Sequence, residues 1–435
     1  MDTVLSLATP PDSAFARILT TAAEALAQSR GLGPRESMRF QLAVEEFFTH
    51  LCQVTDADSG IRAEFTAKSH QVCVSFRFQA SDLCLGALNA SCACTLDGDG
   101  EASEDLGLIL AGRVADRFRL IHEGGDSFML YAEVDKAYPA AKAAPSAITF
   151  KHPYHAAPEQ DPDRLMHAAA WAAARYPAWH CPASFQTPSK FADMVKAGQF
   201  SCVLAQDAAS HPAGLLCWAR SGEKGLSFSG PFVFAPQSDV PEVARILTDA
   251  FLASVAREKV EIVFSERATL DTPAGYFEAL GSLTRYAPEG ESDQPVLYRH
   301  LREDLGETVW ADPALEEFLR AVYDRLAMCR DVLPAHPPGS LERKRSLFST
   351  TMDKEKSLAV LRPLLDGQDM AANLAGHVRV LTEKGFLNLM LYMDLSHSWE
   401  AALAGRIMAA GFKPRLVLPF AGRSDVAVFQ YAPNC

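Results

Sequence analysis

Hydrophobic residues recur at the three- and four-residue spacing of one helix face in two early stretches of the chain. The positions are Phe15, Ile18, Leu19, Ala22 and Leu26 in the first stretch, and Phe40, Ala43, Val44, Phe47 and Leu51 in the second. The spacing then changes to two, because apolar and polar residues alternate over residues 61–67 and again over 72–78. The pattern predicts two helices followed by a β-hairpin.

Residues 106–118 again follow a helical pattern, and a second hairpin is predicted to turn on Gly124-Gly125-Asp126. The first 136 residues therefore follow the order helix, helix, hairpin, long loop, helix, hairpin. This order predicts an α+β sandwich, with helices on one face of an antiparallel sheet.

An alanine- and proline-rich stretch at residues 137–146 shows no apolar periodicity and is predicted to be a linker. The chain beyond it falls into two units of similar element order, residues 147–302 and 303–435. Near the end of the first of these units, a helix is predicted over residues 273–281. The expected fold class is thus multi-domain α+β, with one N-terminal sandwich followed by two α/β domains.

Charge narrows the range of functions. The chain has 435 residues and a formal net charge of −13. Residues 1–136 carry 11 Lys and Arg against 20 Asp and Glu, so most of the excess negative charge lies there. An acidic chain is poorly suited to nucleic acid or to an anionic membrane surface, since both attract clustered Lys and Arg. No apolar run reaches membrane-spanning length and no signal peptide is evident, so a cytoplasmic location is expected.

Two segments resemble metal-binding motifs, but neither has the residues at the spacing that a metal site requires. Cys84, Cys92 and Cys94 lie close together, but their spacing does not match paired zinc ligands. The acidic loop before residue 106 begins like a calcium-binding loop, yet Ala102 and Leu108 occupy the positions of the required Gly and Glu. A solvated acidic loop is the favoured interpretation, and no metal site is expected.

The segment Leu-Ala-Val-Glu-Glu-Phe-Phe-Thr-His at residues 42–50 resembles the first nucleotide box of the histidine-kinase-like ATPases. The likeness is greatest to the anti-sigma-factor kinases. In that family a helical Glu acts as base, and an Asn four residues later binds Mg²⁺. The resemblance implies these positions for Glu46 and His50, which would share one helix face. A His in place of Asn changes the ligand chemistry, because Mg²⁺ prefers oxygen.

The resemblance continues through residues 1–136, with further departures from the family pattern. The family's adenine-reading Asp-x-Gly corresponds to Gln79-Ala80-Ser81, and its phosphate-cradling Gly-x-Gly corresponds to Asp105-Leu106-Gly107. The resemblance therefore implies a degenerate ATP site, with ATP and Mg²⁺ as candidate cofactors. It also implies a protein partner of the sigma-factor or anti-anti-sigma type, and the acidity of this region suggests that the partner presents a basic face.

Residues 147–302 resemble a GNAT acetyltransferase domain in element order, and residues 303–435 resemble a second one more remotely. In GNAT proteins a Gly-rich loop and the following helix N-terminus hold the pyrophosphate of acetyl-CoA. Here residues 235–241 read Ala-Pro-Gln-Ser-Asp-Val-Pro, so the candidate acyl-CoA residues are Gln237, Ser238, Asp239 and Val240. Pro241 removes one N–H donor, and Asp239 is expected to cap the helix with a negative charge.

These features favour a bacterial regulatory protein, a pseudoenzyme with a degenerate anti-sigma-type domain that binds a protein partner. The two GNAT-like units would then act as a scaffold or a ligand sensor. Two enzymatic interpretations stay open. One is an N-acyltransferase that uses acetyl-CoA in one GNAT-like unit, and the other is a serine/threonine kinase of the anti-sigma type.

Overall fold

The computed structural model describes residues 3–56, 58–81, 83–92, 106–139, 148–336 and 343–432. The chain packs into two units, each made of several segments. Unit 1 contains Met1–Ala137, Gly339–Thr351 and Val360–Gly385, and unit 2 contains Tyr138–Pro338, Met352–Ala359 and Phe386–Cys435. The division into three consecutive domains, 1–136, 147–302 and 303–435, stays a prediction. Cys94, Asp105 and most of the predicted linker lie outside the described residues.

Unit 1 contains a five-stranded antiparallel sheet. Its strands are β1 (Thr3–Thr9), β2 (Ile61–Ala67), β3 (Gln71–Gln79), β4 (Arg117–Gly124) and β5 (Ser127–Asp135). The strand order is β1-β2-β3-β5-β4, so both predicted hairpins form. The sequence pattern did not predict β1, which pairs with β2 from Thr3↔Thr66 to Thr9↔Ile61.

Three helices cover one face of this sheet: α1 (Ala16–Ser29), α2 (Pro34–Val54) and α3 (Leu106–Val114). Pro34 opens α2, where its missing N–H costs nothing, and Glu36 lies in the first turn. The buried core joins the apolar stripes of the helices to alternate strand residues, which is the predicted two-layer arrangement. Leu347 and Leu365, from the later segments of unit 1, belong to the same core.

Unit 2 contains a seven-stranded sheet. Its strands are β6 (His155–Pro158), β7 (Ser201–Gln206), β8 (Pro212–Ser221), β9 (Gly225–Val233), β10 (Ile262–Ser265), β11 (Glu278–Ala287) and β12 (Gly290–His300). The strand order is β11-β12-β10-β9-β8-β7-β6, and β9 and β10 run parallel.

Helices pack on both faces of this sheet: α4 (Pro162–Arg175) and α5 (Pro188–Lys196) on one, and α6 (Val240–Val255) on the other. Because both faces are covered, the central strands are buried almost continuously, as in β8.

The predicted helix over residues 273–281 is wrong. Residues 278–287 form β11, which pairs antiparallel with β12 along its length. Leu280 and Leu283 are buried in this strand. The ladder joins residues that are distant in sequence, and such tertiary pairing overrides a weak local preference.

The remaining elements include a parallel pair, β13 (Glu307–Ala311) and β14 (Arg330–Pro334), joined by α7 (Pro313–Leu326). Asp312 precedes this helix, and its carboxylate accepts the Ala314 N–H at 2.8 Å. The elements that follow are β15 (Leu347–Asp353), β16 (Leu358–Leu365), α8 (Met370–Glu383), β17 (Asn388–Asp394), α9 (Ser398–Ala401), α10 (Ala404–Ala409), β18 (Phe412–Leu418) and β19 (Val426–Tyr431).

In unit 2, β19 pairs antiparallel with both β17 and β18. The protein is thus a mixed α/β chain with several sheets. Within the described ranges, no helix combines the length and apolar character needed to cross a membrane.

Candidate functional site

Glu46 and Gly107 lie against each other in unit 1. Glu46 is half-buried on α2, and Gly107 is the second residue of α3. A Cβ added to Gly107 would come too close to Oε2 of Glu46, so the Glu46 carboxylate would have to move aside. Burial raises the pKa of Glu46, and the neighbouring Glu45 raises it further. Among the described residues, none donates a hydrogen bond to this carboxylate.

His50 lies one helical turn beyond Glu46 and faces the loop after β3. Its Nε2 lies 2.9 Å from the carbonyl oxygen of Cys84, where it donates a hydrogen bond in the Nε2–H tautomer. This contact ties α2 to the Cys84 segment. The nitrogen that points toward the loop is thus used to hold the backbone, which disfavours it as a ligand for Mg²⁺.

Gln79 and Ser81 contact the loop that follows α2. Ser59 Oγ donates to Gln79 Oε1 at 2.9 Å, and the Asp56 N–H donates to the Gln79 carbonyl at 3.0 Å. Ser81 donates to Asp56 Oδ1 from Oγ at 2.9 Å. The groups expected to read an adenine are therefore partnered within the chain. Asp105, the remaining residue of this candidate site, lies outside the described residues.

The candidate acyl-CoA loop of unit 2 joins β9 to α6, and Asp239 dominates its polar contacts. Tyr154 Oη donates to Asp239 Oδ2 at 2.6 Å, and Ser238 Oγ donates to Oδ1 at 2.8 Å. His152 Nε2 lies 3.4 Å from the same carboxylate. Tyr154 and Ser238 lower the pKa of Asp239, and this partnership raises the pKa of Tyr154, which burial also raises.

Asp239 does not cap α6 as the sequence predicted. It is the N-cap residue by position, but its side chain makes no capping hydrogen bond, because the carboxylate turns toward Tyr154. Pro241 lies in the first turn and contributes no N–H. Gln237 and Ser238 are exposed, and Val240 is half-buried. The loop thus offers few backbone donors to a pyrophosphate and presents a carboxylate to it.

The parallel pairing of β9 with β10 is short, because β10 ends at Ser265. β10 pairs with β9 from Ile262↔Gly225 to Phe264↔Ser227, while β9 continues to Val233. Tyr176 lies at the end of β9, where its hydroxyl accepts the Val233 N–H at 2.6 Å and donates to an Asp271 carboxylate oxygen. The backbone donor at the end of β9 is therefore occupied by a side chain of the protein.

A contact between Thr269 and Pro231 occupies a second backbone group near the end of β9. Thr269 Oγ1, which is buried, donates to the Pro231 carbonyl at 2.6 Å, and Pro231 has no N–H of its own. Local sequence reasoning missed Tyr176, Thr269 and Asp271 as a group, because nothing in their spacing shows that they converge. The available signal was general: a buried tyrosine hydroxyl nearly always finds a polar partner.

Metal chemistry receives no support from the described residues, among which no group of three or more His, Cys, Asp and Glu side chains could hold a metal ion. Cys84 is exposed, and Cys92 Sγ donates a hydrogen bond to the Gly86 carbonyl at 3.3 Å. Because the predicted acidic loop at residues 97–105 lies outside the described ranges, its calcium-loop interpretation has no structural test.

Comparison with known proteins gives no match to a family model and no match among curated protein sequences. Solved structures similar to about a third of the chain include GNAT acetyltransferases. A GNAT-family acetyltransferase from Staphylococcus aureus Mu50 is 12% identical, with 34% of this chain and 100% of that chain covered and a TM-score of 0.26. A mutant of spermidine N-acetyltransferase SpeG from Vibrio cholerae is also 12% identical, covering 34% and 94%, with a TM-score of 0.27.

A different kind of structure is also similar. It is the SiaB–SiaC complex from Pseudomonas aeruginosa, 15% identical, covering 30% of this chain and 89% of that chain with a TM-score of 0.23. Identities this low leave function to be argued from the residues themselves.

Proposed function

We propose that this protein is a non-catalytic regulatory protein. Unit 1 binds a protein partner through a degenerate anti-sigma-type nucleotide domain, and unit 2 serves as a GNAT-like scaffold. The observation that carries the proposal is the occupation of the β9 end by Tyr176, whose hydroxyl holds the Val233 N–H. An acyl-CoA that used this strand edge would have to displace a buried hydrogen bond, and leaving its partners unmade is costly.

The loop before α6 supports the same conclusion through electrostatics. A pyrophosphate at this helix N-terminus would meet the carboxylate of Asp239, whose lowered pKa keeps it charged at neutral pH. Like charges at close range repel, and Pro241 offers no N–H in return. In this proposal Gln237, Ser238, Asp239 and Val240 form a loop that has lost acyl-CoA binding.

Unit 1 is proposed to bind a protein with a basic face, of the sigma-factor or anti-anti-sigma type. The excess of acidic residues in the first 136 residues supports electrostatic attraction to such a surface. Glu46, His50, Gln79, Ser81, Asp105 and Gly107 are the positions of the proposed degenerate nucleotide site. The contacts of Gln79 and Ser81 with the Asp56 loop support the loss of adenine recognition.

Two enzymatic candidates each have one observation in their favour. The pairing of β9 with β10 ends at Ser227 and leaves a strand end of the kind that an acyl-CoA could approach, which favours an N-acyltransferase. The carboxylate of Glu46 beside Gly107 favours a kinase, since a base of raised pKa is suited to accept a proton. Both candidates require ligand binding, so one experiment separates them from the proposal.

The experiment is a thermal-shift titration of the whole chain with Mg·ATP, with ADP and with acetyl-CoA. A ligand present at 100 times its Kd stabilises the folded state by about 2.7 kcal/mol. We expect no shift with acetyl-CoA and little or none with either nucleotide. A saturable acetyl-CoA shift would overturn the scaffold role of unit 2, and a saturable Mg·ATP shift would overturn the degenerate site of unit 1.

Partner binding requires a separate readout. Protein captured on the immobilised chain from a bacterial lysate should elute as salt rises from 50 to 500 mM, because screening weakens attraction between exposed charges. Glu46→Ala should leave capture unchanged if the partner does not depend on nucleotide. Loss of capture with Glu46→Ala, together with an ATP shift in the parent chain, would favour the kinase instead.

A further inference from the structure

A cleft of about 130 Å³ lies within unit 2, and none of its lining residues belongs to the candidate nucleotide site or to the candidate acyl-CoA loop. Its lining residues are Ala178, Trp179, Arg285, Tyr286, Ala287, Pro288, Glu355, Lys356 and Ser357. The volume is close to that of an engineered protein cavity of ~150 Å³ that accommodates benzene. The cleft is therefore large enough for a compact small molecule.

Two arginines lie over the buried ring of Trp179, and a lysine lines the same cleft. The guanidinium of Arg267 lies 5.5 Å from the ring centroid and that of Arg285 lies 5.8 Å from it. Lys356 lines the cleft with a side chain only 6% exposed, and its burial and the charge of Arg267 lower its pKa. Such a concentration of positive charge in partly buried surroundings favours a negatively charged ligand.

The nearby carboxylates pair unevenly with these cations. Asp353 pairs with Lys356, and Glu289 lies 3.6 Å from Arg285 but is 71% exposed. Glu355 lines the cleft and is exposed, so water screens its charge. Among the described residues none forms an ion pair with Arg267. The formal charges of the six side chains cancel, but the positive charge of Arg267 beside Trp179 has no carboxylate paired with it in the described part of the chain.

Two buried donors lie beside the cleft. Trp179 Nε1 and Arg267 Nε are shielded from solvent and have no hydrogen-bond partner in the described part of the chain. Unsatisfied buried donors are rare in folded proteins. Trp179 lines the cleft and Arg267 stacks on its ring, so both donors add partial positive charge beside the cleft. Because both atoms are shielded, neither is a direct ligand of a molecule in the cleft.

Asn388 fixes the shape of the cleft. Its fully buried side chain accepts the Tyr286 N–H at 2.8 Å and donates to the Tyr286 carbonyl at 3.0 Å and the Lys356 carbonyl at 3.3 Å. One amide thus joins the strand that carries Arg285 to the turn that carries Lys356. The two walls are held at a set separation, as a preorganised binding site requires.

We infer that this cleft binds a small oxyanion, a phosphate or an organic carboxylate, with Arg285 as its direct ligand and Trp179, Arg267 and Lys356 supplying the surrounding positive potential. Arg285 is the member with an accessible guanidinium, since its side chain is 30% exposed. A guanidinium binds carboxylate or phosphate oxygens through two parallel hydrogen bonds. The site is independent of the proposed scaffold role, and either can fail without the other.

The test is an NMR titration that follows the indole N–H resonances of the whole chain, which has five tryptophans. Trp179→Phe identifies the Trp179 resonance by its loss. Inorganic phosphate and acetate are added in separate arms, and sodium chloride at matched ionic strength is the reference. We expect the Trp179 resonance to move along a saturating curve with at least one oxyanion, and the responding arm assigns the ligand to phosphates or carboxylates.

Arg285→Gln should weaken binding at least tenfold while the other indole resonances stay in place, which shows that the variant is folded. Arg320→Gln is the matched control, because Arg320 is an exposed arginine on α7 that pairs with Glu316; its affinity should equal that of the parent chain. A Trp179 shift that follows the chloride reference in both arms, or an unchanged affinity in Arg285→Gln, would overturn the assignment.

Discussion

Glu46 in unit 1 and Asp239 in unit 2 are both carboxylates at candidate phosphate-binding positions, yet their surroundings act on them in opposite directions. Hydrogen bonds from Tyr154 and Ser238 stabilise the charged form of Asp239 and lower its pKa. Burial and the negative charge of Glu45 destabilise the charged form of Glu46 and raise its pKa. Asp239 is thus committed to contacts within the protein, whereas Glu46 is not.

The difference distinguishes a carboxylate with a structural role, Asp239, from one that is still able to accept a proton or contact a ligand, Glu46. A perturbed pKa marks functional sites when the group faces a cleft without a partner, and marks structural pairs when it is fully hydrogen-bonded. Any remaining response to a nucleotide should therefore come from unit 1, and the loop before α6 in unit 2 should not respond to acetyl-CoA. Asp425 is a stronger example of a carboxylate held by contacts within the protein, because it is fully buried in unit 2 and pairs with the buried Arg330.

The largest expected effect on the free energy of unfolding comes from removing the charge of Asp425. Asp425 Oδ2 lies 2.7 Å from Arg330 Nε with both side chains fully buried, and Asp425 Oδ1 also accepts the Phe420 N–H at 3.0 Å. Asp425→Asn leaves the Arg330 charge buried, with Asp304 as its remaining ion-pair partner among the described residues. Removing one partner of a buried ion pair costs about 3–5 kcal/mol of unfolding free energy, to be measured by urea denaturation at pH 7.

The control for Asp425→Asn is Glu316→Gln, which breaks the ion pair with Arg320 at the same 2.7 Å distance but on an exposed helix surface. Its cost should stay within about 1 kcal/mol, since water already solvates both groups. Equal costs for the two variants would show that burial does not set the value of these carboxylates, and the comparison of Asp239 with Glu46 would lose its basis.

Tyr176→Phe is expected to have the second largest effect. The change removes one hydroxyl, so the buried Val233 N–H and the Asp271 carboxylate each lose a partner. The cost should be about 1–3 kcal/mol by urea denaturation. Acetyl-CoA should still give no thermal shift, because Pro231, Pro241 and Asp239 remain. A new acetyl-CoA response in this variant would mean that Tyr176 alone closes the site.

The local sequence pattern was sufficient to predict those elements of unit 1 whose contacts join residues close together in the sequence. Both hairpins and the helices α1 and α2 lie where the alternation and the helical spacing place them, because each element buries the face that its own pattern marks. A family resemblance, and not residue spacing, placed Glu46 and Gly107 in the same candidate site, since the two residues lie on different helices.

Long-range features escaped the same reasoning. β1 has no pattern of its own and is recognisable only through its pairing with β2. Tyr176 and Val233 are 57 positions apart, and Tyr176 and Asp271 are 95 apart, so no local period connects them. Leu347 and Leu365 join the core of unit 1 from far along the chain. Tertiary packing determines each of these contacts, and composition does not encode it.

A smaller effect is expected from Tyr154→Phe, which removes the 2.6 Å hydrogen bond to Asp239. The lowered pKa of Asp239 contributes stability above its unfolded-state value near 3.8, and that stability is lost as pH falls through the folded pKa. The variant should therefore be less stable than the parent at pH 7, and the difference should shrink below pH 4. Urea midpoints measured from pH 7 to pH 3 check this, and a difference independent of pH would show that Tyr154 acts only through packing.

Glu46→Gln should have the smallest effect on the free energy of unfolding, and it should raise stability where the other variants lower it. The pKa of Glu46 is raised in the folded protein, so its ionisation opposes folding at neutral pH, and this penalty disappears as pH falls below the unfolded-state value near 4.5. The variant should gain about 0.5 kcal/mol or less at pH 7 and nothing at pH 4. Glu45→Gln should reproduce part of the gain, because it removes the second cause of the raised pKa. A loss of stability at pH 7 would mean that Glu46 has a stabilising partner and belongs with Asp239.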